Sequence, residues 1–188
     1  MNKRKKHKGE IGYLIYQRNV VLIQTIVLFA AALLVFFTGY FWTNTKANIF
    51  SIIAVLILLP ASRSTVSLIM YVKIPKYQTE ILKPFEHKET KVQLLYQMYL
   101  TSYQKNFPIT CFAVYGNHLI GYTEFAKCDV NACETHIDGI LKQNAVKNVT
   151  IKIFREWNKF EERVSQLEKM EPSKQDEEVV SLLKDISL

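Results

Sequence analysis

The chain has 188 residues, 49% of them hydrophobic, and a net charge of +7, which leaves room for about one domain beyond any membrane segments. Residues 1–91 carry 13 Lys and Arg against 4 Asp and Glu, whereas residues 92–188 carry 11 against 13. A basic surface that reads nucleic acid would belong to the folded domain. Here the excess flanks the apolar runs, so nucleic acid is not an expected partner and a lipid bilayer is.

The chain opens on a basic segment, 1–18, with "NKRKKHK" at Asn2 to Lys8. Such a segment beside a membrane attracts anionic lipid headgroups. Asn19 to Trp42 then runs for 24 residues without a charge, and about 20 suffice for a helix to cross the hydrocarbon core. The apolar stretch is too long for a signal peptide and no cleavage site follows it.

A polar link, "TNTKAN", separates this run from a second one that begins at Ile49. Its thirteen residues to Ala61 fall short of a span, so the second helix has to continue through Arg63. The sequence therefore predicts a hairpin over 19–72, with spans at 19–42 and 48–72 and a kink near Pro60. Lys3, Arg4, Lys5, Lys6, Lys8 and Arg18 precede it, Lys73, Lys76 and Lys83 follow it, and Lys46 alone lies in the link. By the positive-inside rule both termini are cytoplasmic and the location is the cell membrane.

Arg63 is the polar exception inside the second span. Counted from Ile49 it lies about 21 Å along a core about 30 Å thick, close enough to the cytoplasmic boundary for its side chain to snorkel. The alternative is an intramembrane contact, for which folding back about Thr45 sets Arg63 near the level of Val27, within a turn of Gln24 and Thr25, or a contact with a partner.

A juxtamembrane linker with two prolines fills 73–89, and an α+β domain is expected over 90–170. Val92, Leu95, Tyr96, Tyr99 and Tyr103 recur at helical spacing and predict a helix. "PITCFAVYGNHLIGYTE" predicts two strands joined at Gly116 and Asn117. A helix follows at 129–146, with Asn131 and Glu134 as a capping box, then a strand at 148–154 and a helix at 155–170. With the first strand central and a right-handed crossover, the expected sheet is mixed, three-stranded and of order 2-1-3, packed on helices. An acidic amphipathic helix over 171–188 docks on the domain or on a partner.

Chemistry-bearing residues are few. Three cysteines without a pairing pattern fit a reducing compartment. Cys128, Cys133 and His136 are the nearest approach to a pocket, yet their spacing matches no zinc pattern and Cys133 falls on an apolar stripe. There is no phosphate loop, nucleophile elbow or cofactor motif. The expected protein is a membrane-anchored, noncatalytic interaction domain or assembly subunit, working with a protein partner or a second copy. A membrane-tethered enzyme with a thiol and histidine pocket is the alternative.

Overall fold

A computed structural model describes residues 6–46, 48–82, 85, 90–103 and 105–188. The chain divides into two compact units, one of residues 14–74 and one that joins residues 1–13 to 75–188.

The first unit is a pair of long apolar helices, α1 (Tyr13–Thr43) and α2 (Ile49–Lys73), each long and apolar enough to cross a bilayer. Asn48 caps α2, its side chain accepting the backbone N–H of Ser51 at 2.9 Å, and α2 runs unbroken through Pro60. Small side chains let the helices approach. Val21, Thr25, Ala32 and Gly39 are buried on α1, and Ala54, Ala61 and Ser64 on α2, with the bulkier Leu14 and Tyr71 buried at the ends away from the link. At Gly39 a Cβ would collide with the Cβ of Phe50, so the backbones meet where no larger residue fits. The outward faces are apolar instead: Ile23, Leu34, Ile52 and Leu59 are each 60% exposed or more.

The second unit is an α+β fold. Its sheet contains β1 (Gln93–Thr101), β2 (Asn106–Tyr115), β3 (His118–Tyr122) and β4 (Thr150–Phe154), in the order β1-β2-β3-β4. The first three strands are antiparallel and β4 runs parallel to β3. Two helices, α3 (Val130–Gln143) and α5 (Asp176–Asp185), supply the core on one face, where Cys133, Ile137, Val179 and Leu183 meet Leu95, Ile109, Phe112 and Leu119. On the other face α4 (Trp157–Leu167) brings Phe160, Val164 and Leu167 against Cys111, Ala113, Ile120 and Tyr122.

The sheet corrects two expectations. It has four strands, not three, and its order is not 2-1-3, because Gln93–Thr101 forms a strand where helical spacing predicted a helix. The cause is local. Gln97 takes a positive φ of 51° and drops out of the ladder, whose register is the same before it, at Tyr96–Cys111, and after it, at Met98–Ile109. The alternation of side chains reverses there: Leu95 joins the same core as Met98 and Leu100, while Val92, Leu94 and Tyr96 face the other one. A strand that changes faces midway and is covered on both sides imitates the three-and-four spacing of a helix. Since β1 occupies the outer side of β2, the strand after α3 pairs with β3.

The start of α3 differs as well. Asp129 is its N-cap, accepting the backbone N–H of Ala132 at 3.1 Å, and Glu134 instead accepts the backbone N–H of Ile153 at 2.8 Å. The expected capping box of Asn131 and Glu134 is thus displaced by an acidic cap two residues earlier. In the linker, Leu82 and Phe85 are buried in the second core; residues 83–84 and 86–89 lie outside the described residues.

Both ends of the described chain close on β1. Tyr96 donates its backbone N–H to Gly9 at 2.8 Å, and Gln97 accepts the N–H of Gly12 at 2.6 Å. Further along the same strand, Thr101 donates to Ile186 and Leu188 donates to Tyr99, at 3.3 and 3.1 Å. Lys8 joins the two ends, its ammonium donating to the carbonyls of Lys184 and Ser187 at 3.0 and 2.8 Å. A cation at the C-terminal end of α5 is favourable for carbonyls that no helical N–H reaches.

Candidate functional site

Away from the link, where Asn48 donates to Thr43 at 2.8 Å, the helix pair carries a buried polar contact across its interface. The hydroxyls of Thr25 and Ser64 lie 2.7 Å apart, both residues are 7% exposed, and Thr25 also donates to the carbonyl of Val21 at 2.8 Å. Of the three residues singled out in the hairpin, Thr25 is therefore the one turned inward, and its partner is Ser64. Gln24 and Arg63 are both exposed on the surface of the pair. Among the described residues, no hydrogen bond or ion pair involves either side chain's polar end.

Hydroxyls near Pro60 satisfy backbone carbonyls. Ser62 donates to Leu59 at 2.8 Å, Thr65 to Ala61 at 2.9 Å and Ser67 to Arg63 at 3.2 Å. In an apolar surrounding such bonds keep short polar side chains inexpensive.

In the α+β unit the structure separates the cysteines from the histidine. Cys128 and Cys133 are both buried, at 2% and 0% exposure, in the core beneath α3. Burial pushes the Cys133 thiol well above its ordinary range, and the nearby Cys128, Glu134 and Asp129 push it the same way. Cys128 is raised chiefly by burial, with a hydrogen bond to Thr123 and the charge of Arg155 acting against it. A nucleophilic or metal-binding thiol needs the thiolate, and these surroundings favour the thiol.

His136 lies one turn beyond Cys133 and turns elsewhere. Its ring lies 5.7 Å from that of Phe107, and it lines a groove of about 480 Å³ with Ser102, Tyr103, Lys105, Phe107, Ala132 and Thr135. Its Nε2 is buried and has no hydrogen-bond partner among the described residues. At the groove's end Lys105 donates to Asp129 at 2.8 Å. That bond, with the Ala132 N–H next, holds the Asp129 carboxyl below the usual carboxylate range. Among the described residues no three His, Cys, Asp or Glu side chains converge on a point that would hold a metal ion.

Two polar nodes escaped the sequence reading. One is Asp176, 4% exposed, whose carboxylate accepts the backbone N–H groups of Gly116, Asn117 and Ser173 at 2.8, 3.1 and 2.9 Å. The other is Lys8, which the sequence presents as one member of a basic run. A Gly-Asn turn signals that N–H groups need acceptors, but nothing in the sequence says that the acceptor lies some sixty residues on.

Comparison with protein-family models, curated proteins and solved structures finds no match.

Proposed function

We propose that this chain is a membrane-anchored protein of the cell membrane, its hairpin crossing the bilayer twice with both termini cytoplasmic, and its α+β unit a noncatalytic interaction domain within a membrane assembly. The observation that carries the reading is the inverted layout of the helix pair. In a water-soluble fold a helix this apolar would be mostly buried, whereas only 17% of the most apolar window of each helix is buried. Between the ends of the pair mostly small residues and a hydroxyl pair take the interior, and large aliphatic side chains face outward, the arrangement a hydrocarbon solvent favours.

Residues 1–13 and the chain from Pro75 onward belong to one compact unit. A hairpin whose two flanks join in this way enters and leaves the bilayer on one side, and the basic flanks favour the cytoplasmic side. Contact with anionic headgroups through the basic N-terminus is part of the proposal. Residues 1–5 lie outside the described residues, and Lys8 is engaged with α5. The thiol and histidine enzyme is the less supported alternative, because both thiols lie in the core beneath α3 while His136 lines a separate groove.

Carbonate extraction of membranes and thiol labelling of a Thr45→Cys variant from each side test the anchoring, with retention in the membrane and labelling from outside expected. A chain released by carbonate overturns the anchor. Affinity purification from native membranes tests the assembly, and a chain recovered alone and monomeric overturns that half of the proposal.

A further inference from the structure

The contact between Thr25 and Ser64 sets the rotation of both helices, because each hydroxyl points across the interface. Gly39 meets Phe50 near the link, and Thr25 meets Ser64 fourteen residues further along each helix, so the two are antiparallel. Successive residues of an α-helix turn by about 100° and climb ~1.5 Å. In an antiparallel pair, one step back from Thr25 and one step back from Ser64 turn in opposite senses about a common direction. Gln24 and Arg63 therefore arrive on the same face of the pair, about a quarter turn from the interface and within ~3 Å in height.

That face is unlike its opposite. Gln17, Gln24, Ala31 and Thr38 follow one another every seven residues along α1, and Ser67 lies one turn from Arg63 on α2. The opposite face carries Ile15, Ile26 and Leu33 of α1 with Leu58 and Val72 of α2, and its polar member, Thr65, spends its hydroxyl on the Ala61 carbonyl of its own helix at 2.9 Å. A guanidinium and a carboxamide exposed to hydrocarbon without partners are costly. The two groups are also complementary, since Gln24 offers a carbonyl acceptor and Arg63 five donors.

We propose that this face is a dimer interface between two copies of the chain, related by a two-fold axis along the bilayer normal. Such an axis lays α1 of each copy against α2 of the other at unchanged depth. Gln24 then stands opposite the partner's Arg63, and the contact occurs twice. A self-complementary patch of this kind is what a two-fold interface requires, and both copies keep the same orientation in the membrane. The inference rests on the proposed crossing of the bilayer by the hairpin.

The same geometry places Ala31 of one copy beside Leu56 of the other, which leaves the polar pair intact for a crosslinking test. Full-length chains carrying Ala31→Cys alone and Leu56→Cys alone, mixed in phosphatidylcholine and phosphatidylglycerol vesicles and oxidised, are expected to form a disulfide dimer. Either chain by itself should crosslink about tenfold less, because like positions lie at opposite corners. Arg63→Leu or Gln24→Leu in both chains should lower the mixed yield about tenfold, and the exchange of Gln24→Arg with Arg63→Gln should restore it.

A mixed yield no higher than that of the single-cysteine samples, or one unmoved by Arg63→Leu, overturns the interface. Carbonate extraction of the same vesicles distinguishes the two failures. A chain retained but not crosslinked removes the dimer alone, whereas a released chain removes the membrane crossing and the dimer with it.

Discussion

The carboxylate of Asp176 holds the backbone N–H of Gly116 at 2.8 Å, tying the first residue of α5 to the turn between β2 and β3. The turn needs this acceptor because Gly116 and Asn117 both adopt positive φ, 58° and 60°, which turns consecutive N–H groups toward one side as an anion-binding concavity. A terminal helix that could have been free is thereby seated on its own sheet.

Replacing Asp176 with alanine strands three N–H groups that have one carboxylate as acceptor. A loss of about 2–4 kcal/mol is expected. Denaturant unfolding of the full chain in detergent measures it, with faster amide exchange at Gly116 and Asn117 as the local sign. Unchanged exchange at the turn would refute the role.

At Gly39 the helices have no room for a side chain. Gly39→Leu should cost the pair about 1–3 kcal/mol through overpacking. Its readout is the disulfide formed within a chain carrying Thr25→Cys and Ser64→Cys, whose yield should fall sharply when Gly39→Leu is added.

Burial pushes the Cys111 and Cys133 thiols up, and Cys128 less strongly. In the folded chain all three should react with a thiol reagent about a hundredfold more slowly, or slower still, than in denaturant. The sign for stability follows. Where pH climbs past the ordinary thiol range, the unfolded chain sheds protons that the folded one keeps, so stability is whole below that range and declines above it.

Asp129 titrates in the opposite sense. Its carboxyl is depressed by the Lys105 hydrogen bond first and the Ala132 N–H next. Its contribution is therefore fully present above the ordinary carboxylate range and is lost as pH falls through the depressed value. Asp129→Asn keeps a capping side chain and removes the charge, so the acid limb of an unfolding curve should flatten while the neutral-pH fold is retained.

Lys8 caps carbonyls at the end of α5. Lys8→Met should cost about 1 kcal/mol and raise the exchange rates of the Thr101 and Leu188 amides, which bond across to Ile186 and Tyr99. Equal exchange in both chains would mean that the residues beyond α5 hold without it.

Two apolar helices, the hairpin turn at Gly116 and Asn117, and the strand and helix after it were legible because each rests on a local pattern. Composition and length identify the first, turn chemistry the second and a single periodicity the rest. Gln93–Thr101 was not legible, since the left-handed Gln97 changes which side each residue faces and the resulting spacing looks helical. In the hairpin, counting residues from the link sets Arg63 near the level of Val27, within a turn of Gln24 and Thr25. Depth alone carries no rotation, however, so it could not show that Ser64 turns inward and Arg63 outward. The tethers made by Asp176 and Lys8 join residues far apart in the chain and leave no local mark.

The order in which β1 is covered has a consequence for biogenesis. Gly9 is synthesised well before β1, whereas Ile186 follows Thr101 by 85 residues, about 4–17 s of translation at ordinary rates. During that interval the outer row of β1 between Tyr99 and Thr101 has none of its later partners. An unpaired strand edge of this kind is a template for pairing with another chain, so the residues beyond α5, once made, also cover the sheet against a neighbouring copy.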